Sequence, residues 1–263
     1  MGEGRVNNLI LNSDRLDSSP IHWKYGSISR LKEGENNRKY LEGGYSTTSL
    51  GFIGISEMSY AMFGKSHHES KEAHDFAIKV LQYLKDKTAE WNKEHNIGWS
   101  LYATPSEGYC DTSLKKTKER FGIVKNVTDH EFFTNSYHIY VGEEVDVFEK
   151  FNFESEFQEL CTGGCISYAE CGNLTSNIEV IKEIMRHIYE NIQYAELNME
   201  IDVCNNCGSR APLKQDENDE FYCGCCGSYK VTACRRICGY LGEASKGINK
   251  GKRHEMSLRV KHI

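Results

Sequence analysis

Four cysteines near the C-terminus, Cys204, Cys207, Cys223 and Cys226, fall as C-x2-C, fifteen intervening residues, then C-x2-C. That spacing suits two thiolate pairs on tight turns meeting around one tetrahedral zinc, with enough chain between them for a hairpin. Gly208 and Gly227 follow the two pairs as turn residues. Four thiolates leave no coordination position for water, so the ion would hold the tail together and do no chemistry itself. Cys225 could replace Cys226, but C-x2-C fits the geometry better than C-x-C. The competing reading is four reduced or disulfide-paired cysteines without metal. Cys234 and Cys238 read as ordinary buried or half-buried thiols.

Just beyond lies "RRICGYLG", Arg235 to Gly242, with Gly239 set between a cysteine and a tyrosine. One explanation is a turn or helix end that needs positive φ. A second uses the missing side chain. Loss of an α-hydrogen leaves a radical that can flatten, delocalise over the flanking amide nitrogen and carbonyl, and exchange a hydrogen atom with a cysteine thiol. Residue type alone leaves both open.

The chain that must position these groups has 263 residues, enough for one major core and a small appendage. Its 39% hydrophobic and 27% charged residues, with only three prolines, indicate an ordered globular protein. A net charge of −6 argues against a general electrostatic grip on DNA. The first thirty residues hold no apolar leader, and no apolar run approaches the roughly 18–20 residues that cross a bilayer, so a soluble, cytoplasmic protein is expected. Eleven cysteines there read as metal ligands or redox groups before disulfides, and an odd count cannot pair completely.

Glu33 to Lys39 has the composition of a surface loop. From Gly44 a strand is expected to run into a short helix carrying Ile55, Met58, Tyr60 and Met62 and closed by Gly64. His67 to His95 reads as a long amphipathic helix with Ala73, Phe76, Ala77, Val80, Leu81 and Leu84 on one face and with His67, His68 and His74 at the surface. Trp99 to Ala103 reads as a buried strand that ends in a loop at Pro105, and "NSYHIYVG" (Asn135 to Gly142) as a further β segment. Ser176 and Glu179 stand in capping-box register before a helix repeating Ile181, Ile184, Ile188 and Ile192. The alternation implies an α/β core over residues 1–200, separated near Asn198 to Ile201 from a cysteine-rich tail, residues 201–263. "LGFIGIS" is not followed by G-K-[ST], which excludes a phosphate loop.

"RRICGYLG" resembles the glycyl-radical motif of anaerobic (class III) ribonucleoside-triphosphate reductases, and the four-cysteine cluster before it is similar in spacing and order. "GGYSTTSLGFIGISE", "SLYATPSEGYC", "FGIVKNVTDHEFFTNSYHI", "TGGCISYAE" and "RVKH" resemble segments of the same family in the same order, so the likeness spans residues 20–263. It implies the C-terminal part of a ten-stranded α/β barrel with a glycine loop reaching its centre. Gly239 would be the radical reservoir, from which an activating protein, using a 4Fe-4S cluster and S-adenosylmethionine, takes a hydrogen atom. The radical would pass to a cysteine that attacks the 3′-hydrogen of a ribonucleoside triphosphate, commonly with formate as reductant. The product would be a deoxyribonucleoside triphosphate for DNA synthesis.

Ser100 to Glu107 matches the family's "SLYSTPAE" except at Ala103 and Ser106. The match implies that Tyr102 lines the substrate pocket, that Thr104 and Ser106 offer hydroxyls and backbone N–H groups to a triphosphate, and that Glu107 handles protons or polar contacts near the sugar. A plain strand-ending turn and a solvated carboxylate are the bland counterparts. Gly163 and Gly164 in "TGGCISYAE" allow close backbone approach beside the glycyl loop, or a simple β-turn. The thiyl cysteine's finger loop and the nucleotide-sensing region of the family find no match in this sequence. The expectation is therefore a C-terminal half, from a split gene or an incomplete copy, that needs an N-terminal partner for turnover; the complete unit is expected to be a homodimer. From other classes, a non-enzymatic zinc-ribbon binding module and a glycyl-radical protein that complements a damaged enzyme stand as alternatives.

Overall fold

The computed structural model describes residues 40, 42–44, 46–172, 174, 176–245 and 247–263; the loop expected at Glu33 to Lys39 lies outside them. Two compact units result, one from the described residues up to Leu50 together with Gln82–Leu101, the other from Gly51–Leu81 with Tyr102–Ile263. In the first, Trp91 and Trp99 meet edge to face with ring centres 5.1 Å apart beside buried Ile97. The Asn92 amide donates to Trp99 O at 3.0 Å, and its carbonyl oxygen accepts from the Trp99 N–H.

Along the chain, β1 (Thr47–Phe52) passes Gly54, left-handed at φ 79, into α1 (Ile55–Phe63), which ends at left-handed Gly64, φ 67. Both glycines sit where only a residue without Cβ is unstrained, matching the strand, helix and stop read from sequence. α2 (Lys71–His95) buries Ala73, Ala77 and Leu81 on its predicted face. It begins four residues later than expected, and His67 is fully buried rather than at the surface. Its Nε2 lies 2.7 Å from Tyr137 O, its ring packs on Phe153 and Phe157, and burial lowers its pKa to about 4. β2 (Gly98–Ala103) pairs with β1.

α3 (Tyr109–Phe121) and α4 (Val147–Gln158) flank the stretch Asn135 to Gly142, which is turn and loop instead of the expected strand. Ser136 takes φ 42, and Tyr137, His138 and Ile139 are all buried, so the side chains do not alternate in and out as a strand's do. β3 (Ser167–Cys171), α5 (Ile178–Asn191) and β4 (Ala195–Met199) form a parallel crossover unit, Ser167 opposite Ala195 and Cys171 opposite Met199. The predicted isoleucine face of α5 packs there with Phe151, Ala169 and Cys171. The helix is capped by Asn177, whose Oδ1 accepts from Val180 N, one residue beyond the expected Ser176.

The tail contains β5 (Ile201–Cys204), the short pair β6 (Lys214–Gln215) and β7 (Phe221–Tyr222), β8 (Val231–Arg236), β9 (Leu241–Glu243) and α6 (Lys250–Ser257). β5, β8 and β9 make an antiparallel sheet in which Cys204 faces Val231 and Arg236 faces Leu241. Its core holds Phe221, Ala233, Ile237, Ala244 and Met256. The final residues return to the parallel unit: His262 N donates to Glu170 O at 2.8 Å, and Glu170 N donates to His262 Nδ1 at 2.9 Å. No helix among the described residues is long and apolar enough to cross a membrane.

Candidate functional site

The Sγ atoms of Cys204, Cys207, Cys223 and Cys226 all lie within 4.8 Å of one another. Cys204 to Cys226 and Cys207 to Cys223 are each 3.7 Å, and none of the four is in a disulfide. A tetrahedron of Zn–S bonds about 2.3 Å long has sulfur–sulfur edges near ~3.8 Å, so the cluster fits a zinc ion. Each pair is a knuckle: Gly208 N donates to Cys204 O and Gly227 N to Cys223 O, at 2.9 and 2.8 Å, with both glycines left-handed, φ 72 and φ 70. Backbone N–H groups reach the sulfurs, Cys207 N to Cys204 and Cys225 N to Cys223, and backbone donors lower the thiol pKa of Cys204, Cys223 and Cys226. Cys225 stands outside the cluster, exposed, 3.4 Å from Ser209 Oγ. Cys234 is half-buried and Cys238 buried, as ordinary thiols.

β8 starts beside this cluster and ends in a hairpin whose tip is Cys238 and Gly239, closed by Ile237 N donating to Tyr240 O at 2.9 Å. Its two arginines point to opposite faces. Arg235 forms a bidentate pair with Asp202, 2.6 and 3.0 Å, over the Phe221 ring. Arg236 turns the other way and donates to Asn198 Oδ1 at 2.9 Å, to Cys238 O at 3.5 Å and to Glu196. Gly239 is exposed, its φ lies outside the left-handed region, and an added Cβ would meet only Pro105, at 3.5 Å. Neither conformation nor space therefore requires a glycine here, which removes the positive-φ explanation.

The loop after β2 lies against this tip. Pro105 faces Gly239, where an added Cβ would meet it, and Glu107 Oε2 accepts from Tyr240 Oη at 2.9 Å, a bond that raises the tyrosine's pKa. Asn249, the N-cap of α6, donates to Glu107 O at 3.2 Å. Tyr102 packs on Gly164, whose φ of 124 and Cβ distance of 3.2 Å to the Tyr102 ring do demand glycine. Thr104 Oγ1 donates to Tyr102 O at 3.4 Å. Ser106 braces the start of α3: its N–H donates to Asn135 Oδ1 at 2.7 Å, and its Oγ accepts from Tyr109 N. The structure thus brings Pro105 and Glu107 to the Gly239 hairpin, while Tyr102 and Thr104 face Gly164 and their own strand end. Cys238, Arg236, Tyr168, Asn135 and His138 line a small cavity of about 60 Å³.

Tyr240, Tyr168, Arg236, Asn198 and His138 also belong to this region, and their spacing in the sequence signals no role. The His138 ring lies 3.2 Å from Glu154, which is fully buried and also paired with Lys150; burial alone would raise that carboxyl's pKa, but the Lys150 and His138 charges outweigh it and hold it well below the usual range.

A mixed α/β chain with a four-cysteine ribbon carrying a glycine hairpin defines the class of molecule. A sequence profile of the anaerobic ribonucleoside-triphosphate reductase family matches residues 7–262. The enzyme of that name from Haemophilus influenzae is 33% identical over 259 residues, covering 96% of this chain and 36% of the relative. Its Salmonella typhimurium counterpart is 34% identical over 251 residues, covering 93% of this chain and 35% of the relative. A solved anaerobic ribonucleotide reductase superimposes with a TM-score of 0.64 at 21% identity, over 83% of this chain and 34% of that one. The chain belongs to the anaerobic ribonucleoside-triphosphate reductase family and spans about a third of the length of the relatives it matches.

Proposed function

We propose that this chain supplies the radical-storing C-terminal portion of an anaerobic ribonucleoside-triphosphate reductase, with Gly239 as the residue that holds the unpaired electron. The observation that carries the reading is the conformation at Gly239, where nothing local requires a glycine and the α-carbon is exposed at a hairpin tip. What only glycine supplies there is an α-carbon that becomes planar on losing a hydrogen atom without having to accommodate a side chain.

In this reading residues 1–200 are part of the ten-stranded barrel and residues 201–263 are the zinc-binding and glycyl-radical domain. Cys204, Cys207, Cys223 and Cys226 hold a structural zinc that stiffens the root of β8. Tyr102, Thr104, Ser106 and Glu107 belong to the strand end that receives a ribonucleoside triphosphate, Glu107 exchanging protons near the sugar. A radical S-adenosylmethionine protein with a 4Fe-4S cluster takes the Gly239 hydrogen, formate supplies electrons, and turnover belongs to the complete, homodimeric reductase. The family likeness and the contact of the Pro105 loop with the Gly239 tip support these assignments.

The test is anaerobic incubation with the activating protein, reductant and S-adenosylmethionine, read by electron paramagnetic resonance. A doublet that vanishes in Gly239→Ala, followed by backbone cleavage at residue 239 on exposure to oxygen, is expected. A doublet that survives Gly239→Ala would refute the assignment.

A further inference from the structure

We infer that Tyr168, assisted by Arg236, is a positioning residue that fixes the plane of the Cys238–Gly239 peptide and so sets how far spin spreads from Gly239. The inference rests on the reading of Gly239 as the radical residue. The Tyr168 hydroxyl donates to Cys238 O at 3.0 Å, and the Arg236 guanidinium reaches the same oxygen at 3.5 Å. Cys238 O belongs to the amide on the N-terminal side of the Gly239 α-carbon, one of the two π systems over which an α-carbon radical spreads. Delocalisation needs that amide coplanar with the trigonal carbon, and two donors on its oxygen resist rotation of the plane.

The donors are themselves held. β3 and β4 pair Tyr168 with Glu196 and Glu170 with Asn198. This places four polar side chains on one face, while Ala169, Cys171 and Leu197 go to the apolar core on the other. Arg236 lies over the Tyr168 ring at 5.1 Å and binds Asn198 and Glu196. Asn198 donates to Glu170 Oε1 at 2.9 Å, and Glu170 pairs with Arg259 at 3.3 Å. Arg236 and Asn198 are buried, and a buried guanidinium is tolerated only when its donors find partners. A polar network of this cost at the back of an exposed hairpin has the Cys238 carbonyl as its terminal acceptor. Burial raises the Tyr168 pKa, so the hydroxyl stays a proton donor across the working range.

Tyr168→Phe removes the hydroxyl and keeps the ring under Arg236. On the unactivated chain, labelling with carbonyl-¹³C cysteine and ¹⁵N glycine reports only the five Cys–Gly peptides, at Gly172, Gly208, Gly224, Gly227 and Gly239. The Gly239 signal is identified by its loss in Gly239→Ala. In Tyr168→Phe that signal should move while the other four stay. After activation with the S-adenosylmethionine protein, the variant's doublet should change its splitting and decay roughly twofold to tenfold faster, the equivalent of one net hydrogen bond. Arg236→Lys, which keeps the charge but loses the fork, should shift both readouts in the same direction by less. A wild-type doublet accompanied by an unmoved Cys238 carbonyl, or by unchanged splitting and lifetime in Tyr168→Phe, overturns the inference alone. A wild-type chain that yields no doublet even when assembled with its N-terminal partner overturns the reading of Gly239 as well.

Discussion

Replacing Gly239 by alanine separates a backbone role from a chemical one. The new Cβ would lie 3.5 Å from Pro105 Cγ and 3.9 Å from its Cβ, ordinary van der Waals contact, with φ outside the left-handed region. Where the native conformation suits alanine, the substitution stabilises by about 0.4–1 kcal/mol, because the unfolded chain has fewer conformations to lose. Gly239→Ala is therefore expected to be neutral or slightly stabilising while losing every trace of the radical. Gly164→Ala is the internal contrast: φ 124 and a Cβ 3.2 Å from the Tyr102 ring place it in a strained region that costs about 1–3 kcal/mol. Urea unfolding followed by circular dichroism, with equal slopes for the variants, measures both. If Gly239→Ala loses more than ~1 kcal/mol, the glycine serves the backbone and the reasoning from its conformation collapses.

Cys226→Ser should abolish stoichiometric zinc by elemental analysis, whereas Cys225→Ser should leave it intact, because only Cys226 points into the sulfur cluster. Lys150→Met leaves the Glu154 carboxylate buried with only His138 and the Ile139 N–H beside it and should cost about 3–5 kcal/mol, most of it recovered by adding Glu154→Gln. Stability should fall from pH 6.5 toward 4: burial lowers His67 and His262 to about 4, so in that window the unfolded chain binds protons that the folded chain refuses. Burial alone would raise Glu255, but Arg259 and Lys252 outweigh it and hold it to about 2. Its stabilisation is therefore complete above 4.5 and disappears as pH drops from there toward 2. A urea midpoint that stays flat between pH 7 and 4 would contradict the buried neutral imidazoles.

Much of the scaffold was legible because local rules governed it. The glycine at the end of α1, the isoleucine face of α5 and the C-x2-C knuckles follow from spacing within a few residues, and the structure keeps all three. α3 and α4 were missed: α3 buries only Cys110, Asp111 and Leu114, too sparse an apolar stripe to stand out, while the phenylalanines of α4 mask its periodicity. Asn135 to Gly142 carries strand-forming residues but is a loop whose middle, Ser136 to Ile139, is buried, with His138 held by Glu154 from α4. His67 was misplaced for a similar reason, since the Tyr137 carbonyl that receives it is seventy residues away.

The sequence by itself determined the spacing of the four cysteines that meet in one cluster, the suspect glycine and those helices whose apolar stripe or cap is local, because each is written in neighbours along the chain. Only the tertiary structure decided what the glycine lacks a reason for. The gap between Gly239 and Pro105 and the Tyr168 donor on Cys238 O arise from segments brought together across 134 and 70 residues. No pattern within a single segment encodes such a meeting, because a hydrogen bond between distant residues depends on how the intervening core packs.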